Sequence, residues 1–174
     1  MWKKRKIDFT LDENEYRKII FRFYPRRSSC HSFGNEPPKS YNDVYKVYFA
    51  YSVLYIDKED NSCEILFDCY CDECSKIDDI AASCKLLYDG IEIYKGIDRF
   101  SGKEYEIQLL DKEFRPIGMG VSWTISKHAT CYTFAMFYYT NKGYRFTLDK
   151  EKMNEFGEYL QGCCDYMLAH GNPI

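Results

Sequence analysis

The sequence predicts an α+β fold, a single domain over residues 1–174 with one antiparallel sheet of about six to seven strands and two packed helices, at about 75–88 and 149–169. Three observations predict it. Tyr and Phe are abundant, 17 and 12 in 174 residues, and both favour pleated, half-buried surfaces. Alternation at period two recurs through most of the chain, whereas apolar spacing at three and four residues occurs in only two stretches. The order is strands, helix, strands, helix, which is not the alternation of a parallel βαβ sheet.

In chain order, residues 16–24 place Ile19, Phe21 and Phe23 on one face and read as a strand. A polar loop follows over 25–43, with Gly34-Asn35 and Pro37-Pro38, and loops of this length tend to be functional. Residues 44–56 form a strand apolar on both faces, as a central position requires, and Asp57–Asn61 turns it into a second arm at 62–71. In that arm Cys63, Ile65, Phe67, Cys69 and Cys71 fall on one face.

The first helix has Ser75 or Asp72 as cap and the stripe Ile77, Ile80, Ala81, Cys84, Leu87 and Tyr88. Lys76, Asp78, Asp79, Ser83 and Lys85 take the polar side, and Asp89-Gly90 closes the helix. Strands are expected at 91–94, 105–110, 117–126, 130–140 and 144–148, with Gly118 and Gly120 marking a bulge or a close backbone approach. Asp149 caps the last helix, whose seam is Met153, Phe156, Leu160, Cys163 and Met167. Gly171 and Pro173 stop it.

Composition bounds the function classes. No apolar run approaches the roughly 18 residues of a membrane helix. The basic start at Lys3–Lys6 leads into a segment too polar for a secretory leader, which predicts a cytoplasmic protein. Nine cysteines, an odd number spread through strands and helices, read as reduced thiols. Net charge is −3, but residues 1–27 carry nine bases against four acids and residues 57–79 nine acids against two bases. Such asymmetry speaks to partners.

Four chemistries can be weighed. Cys69-x-Cys71-x-x-Cys74 with Cys84 could ligate zinc, but no second pair has zinc spacing: Cys163-Cys164 are adjacent on a helix and Cys30-His31 is in the loop. These cysteines therefore read first as small apolar packing groups, and no cofactor is expected. A reactive thiolate at Cys71 or Cys74 would sit among Asp72, Glu73, Asp78 and Asp79, which oppose its ionisation. The three histidines, His31, His128 and His170, supply no evident triad, so an enzyme is not favoured. Tyr45, Phe49, Tyr51 and Tyr55 could stack bases, yet a pI near 5.7 argues against nucleic acid.

The acidic tract remains, and it suits a basic protein partner such as a nuclease or toxin. The partner surface expected from it comprises Asp57, Glu59, Asp60, Asp72, Glu73, Asp78 and Asp79.

From about Val44 to Cys163 the element order also resembles a known family. The likeness lies in 47–56 and 64–70 around the turn, the 77–88 helix, Glu104-Tyr-Glu-Ile-Gln-Leu-Leu110, 117–126, and Tyr144-Arg-Phe-Thr-Leu-Asp-Lys150 leading into the final helix. In these parts the chain resembles the WapI-type immunity proteins of bacterial contact-dependent toxin systems. The resemblance covers about two thirds of the chain as pattern, excludes the first 43 residues, and transfers no residue roles. It implies a cytoplasmic protein that neutralises a cognate toxin without catalysis. Two alternatives stand beside it: a phage or mobile-element inhibitor of a nucleic-acid-targeting defence system, and a zinc-binding or thiol enzyme using the Cys69–Cys84 cluster.

Overall fold

The computed structural model describes residues 7–25, 47–116, 120–139 and 142–170. The chain is α+β, but the strands divide more finely than one sheet of six or seven. Among the described residues, nine strands form three antiparallel sheets, with two helices. Sheet A has the order β1 (Asp8–Glu13), β2 (Arg17–Tyr24), β3 (Tyr48–Asp57) and β4 (Cys63–Glu73). Helix α1 (Cys74–Tyr88) continues directly from β4. A separate hairpin, sheet B, follows: β5 (Ile93–Ile97) with β6 (Glu104–Gln108). Sheet C joins β7 (Ser122–His128), β8 (Cys131–Phe137) and β9 (Gly143–Asp149), and α2 (Lys150–His170) closes the order. No helix among the described residues is long and apolar enough to cross a membrane.

Strand β1 was not expected. Its polar residues hide a period of two, for Phe9 and Leu11 both face the core. The expected loop over 25–43 beyond Pro25, the Gly118 position and the Gly171-Pro173 stop lie outside the described residues.

The core lies between sheet A, sheet C and α2. Phe21 pairs with Val53 and Phe23 with Tyr51, and all four side chains are buried. Phe156 of α2 stands within 5.1–6.4 Å, centroid to centroid, of the rings of Phe9, Phe21, Trp123, Phe134, Phe146 and Tyr159. It is the hub of an aromatic cluster: it meets Phe21, Phe134 and Phe146 edge to face, stacks with Trp123 and Tyr159, and is tilted against Phe9. Asp149 does cap α2, its carboxylate accepting the Lys152 N–H at 2.8 Å. The α1 cap differs: Glu73, rather than Ser75 or Asp72, holds the N-cap position, and its side chain makes no capping hydrogen bond.

Helices α1 and α2 run antiparallel. The Cys164 thiol meets the Cys74 carbonyl at one end, and Lys150 lies over the Tyr88 ring at the other. Between them Gly157 permits the contact, since a Cβ there would stand 2.6 Å from the Cys84 Cβ.

Hairpin β5–β6 is built otherwise. Its two strands form a sheet of two that joins the body at its base, where Ile91 N–H donates to the Leu86 carbonyl and Lys127 pairs with Glu92. Tyr105 lies across Gly96, filling the space of the missing side chain.

Candidate functional site

Strand β4 decides where the acidic tract goes. Two bulges interrupt its pairing with β3, one at Leu66 and one at Tyr70-Cys71. Each inserts a residue and so exchanges the two faces. The Leu66 bulge turns Ile65 outward while Phe67 and Cys69 face the core, so the single face expected for Cys63 through Cys71 does not exist. The second bulge puts Asp72 opposite Phe49 and aims its carboxylate inward.

That carboxylate is the centre of a buried junction. Tyr51 Oη donates to Asp72 Oδ2 at 2.6 Å, and Trp123 Nε1–H donates to Tyr51 Oη at 3.0 Å. Lys76 Nζ stands 2.6 Å from Asp72 Oδ1, which also accepts the Glu73 N–H at 2.9 Å. Lys76 further donates to the Val121 carbonyl. The Asp72 and Lys76 side chains are 1% and 4% exposed, so this ion pair is fully desolvated and holds only because its polar atoms are mutually satisfied. Burial first, and then the Asp72 charge, push the Tyr51 hydroxyl well above its ordinary range. The junction joins β3, β4, α1 and β7.

Two expected surface acids therefore leave the surface. Asp72 is buried in the junction and Glu73 is buried beside it. Lys76 and Ser83, expected on the polar side of α1, are buried as well: Lys76 reaches back to Asp72, and Ser83 Oγ donates to the Asp79 carbonyl. Asp57, Glu59 and Asp60 sit in the β3–β4 turn. Asp57 Oδ1 accepts the N–H groups of Glu59 and Asp60, and Asp60 Oδ1 accepts that of Ser62. Lys58 in the same turn pairs with Glu13 at 2.7 Å. The eleven residues of β4 separate this turn from Asp78 and Asp79 by roughly 30 Å. The acidic tract is continuous in sequence and divided in space.

The cysteine cluster also comes apart. Cys71 is disulfide-bonded, against the expectation of reduced thiols throughout, while Cys69, Cys74 and Cys84 are buried free thiols. Burial pushes the Cys69 and Cys84 thiols up to about 12, so neither is a thiolate at neutral pH. No group of three or more His, Cys, Asp or Glu side chains among the described residues is placed to hold a metal ion. Of the aromatics considered for base stacking, Tyr51 is buried in the junction and Tyr55 is half-buried.

The structure gathers acids elsewhere. On α2, Glu151, Glu155, Glu158 and Asp165 recur at near-whole turns and form one exposed stripe along the helix. Asp78 and Asp79 of α1 and its C-cap Asp89 add to it, against Lys85, Lys112, Lys150 and Lys152. Partial burial raises the Asp79 carboxyl; Lys112 opposes the shift and Asp78 adds to it. Glu151 accepts from the Tyr88 hydroxyl and raises it. Between the helices runs a groove of about 570 Å³ lined by Ala81, Ala82, Gly157 and Gly162, with Lys85, Asp89, Glu158 and Asp165 along it. Sequence reasoning missed the α2 stripe because Lys150 and Lys152 interleave with its acids; the signal was their spacing of four, three and seven residues. No family model, curated protein or solved structure matches the chain.

Proposed function

We propose that the chain is a non-enzymatic, protein-binding inhibitor of the immunity type that covers a basic, nuclease-like partner. The observation that carries this reading is the acidic outer face of α1 and α2, seven carboxylates against four lysines, Lys112 beside Asp79 among them, on a packed pair of helices. Such a face speeds encounter with a cationic partner and selects it over neutral ones. The resemblance to WapI-type immunity proteins supports the same reading. Of the surface first inferred, Asp78 and Asp79 belong to this face, whereas Asp57, Glu59 and Asp60 do not.

The test is capture from the native host, comparing the intact chain with a Glu151→Lys/Glu155→Lys/Glu158→Lys variant. A basic protein retained by the first, lost by the second and released by moderate salt supports the reading. Equal capture by both, insensitive to salt, overturns it.

A further inference from the structure

Two buried thiols meet where the antiparallel helices are pinned at one end. Cys74 is the first residue of α1 and Cys164 lies in the C-terminal part of α2, and they are 1% and 4% exposed. The Cys164 thiol reaches the Cys74 carbonyl at 3.5 Å and hydrogen-bonds the Cys74 sulfur beside it. That contact first, and burial second, push the Cys164 thiol well above its ordinary range. Cys74 is therefore the sulfur that gives up its proton first, and the start of a helix favours the anion it becomes. Sulfurs in hydrogen-bond contact are within side-chain adjustment of a covalent bond.

We propose that Cys74 and Cys164 are a modification site, a dithiol that small disulfide oxidants convert into a bond between α1 and α2. The Cys74 thiolate attacks one sulfur of the oxidant, forming a mixed disulfide and expelling a small thiolate. Cys164 loses its proton, attacks the Cys74 sulfur and expels the second small thiolate. The protein has given up two protons and two electrons, and the oxidant has become two thiols. Because both sulfurs are shielded, the oxidant reaches them only when the helices part locally. The bond then ties positions 90 residues apart in the chain and holds the pair closed. None of this rests on the inhibitor reading. It adds a covalent state of the helix pair that carries the acidic face.

The test treats the full chain, carrying Cys63→Ser/Cys131→Ser to remove an exposed and a half-exposed thiol, with oxidised glutathione under native conditions. The expected result is a loss of two thiols counted in denaturant, one new link mapped to Cys74 and Cys164, and a melting temperature higher by about 10 °C. Adding Cys164→Ser abolishes the link and the rise, whereas adding Cys163→Ser leaves both. Where Cys164→Ser does not fold, the mapped link in the parent decides alone. A new link through other cysteines, a mixed disulfide that never closes, no loss of thiols, or a closed link without the rise overturns the inference.

Discussion

The Asp72 junction and the β5–β6 hairpin break the ordinary distribution of side chains in opposite directions. The junction buries a carboxylate and an ammonium among aromatic rings, whereas the hairpin holds isoleucines and a phenylalanine in water. The first arrangement persists because every neighbour is fixed: remove one partner and an uncompensated charge remains in the core. The second persists because Asp98 and Tyr105 settle the hairpin by local contacts, so its apolar side chains contribute little to folding. The lesson is that stability is concentrated in the junction and its surroundings rather than in the hairpin.

The sharpest way to break this contrast is Asp72→Ala, which strands the Lys76 ammonium and is expected to lower unfolding free energy by about 4 kcal/mol in urea titration. The double variant Asp72→Leu/Lys76→Met removes both charges and should recover at least half of that loss. A loss for the double variant equal to the sum of the single ones would show that the two groups do not act as a pair. Next, Gly157→Ala drives a methyl against Cys84 where α1 and α2 touch, and should cost about 2 kcal/mol in the same titration.

A smaller effect comes from alkali. The Cys84 thiol stays protonated to about 12 in the folded chain, against an ordinary value of 9.0. Between those two values the unfolded chain has released a proton that the folded chain still holds, so stability falls as pH rises. Relative to Cys84→Ala, the parent should lose about 1 kcal/mol on going from about pH 9 to pH 10. Parallel pH curves for the two would remove buried thiols from the account. The smallest expected change is Phe100→Ser, within about 0.5 kcal/mol of the parent. A larger loss there would mean that the hairpin supports the core after all.

Much of the fold was legible because hydrophobic period reports burial directly. The α2 seam and the Asp149 cap stand where spacing put them, and the central strand β3 is buried on both faces, with Ile20 and Leu54 opposed on the side away from the main core. What was not legible has identifiable causes. Alternation cannot say which sheet a strand joins, so the β5–β6 hairpin and sheet C were merged with sheet A. A bulge leaves no mark in a period-two pattern as short as that of β4, so the inward turn of Asp72 was invisible. Lys76 was assigned to water because lysines usually go there, and only its carboxylate partner four residues earlier explains its burial. The candidate site fared worst. Charge summed along a strand says nothing of the distance between that strand's two ends.

Tyr159 of α2 donates to the Ile7 carbonyl at 2.6 Å, a bond spanning 152 positions along the chain. A ribosome delivers sheet A long before the helix that covers it. During that interval Phe9, Phe21 and Phe23 have no lid, and collapse must wait for the last segment to emerge. Production of this protein is thus expected to depend on chaperones and growth temperature more steeply than the stability of the finished molecule would suggest.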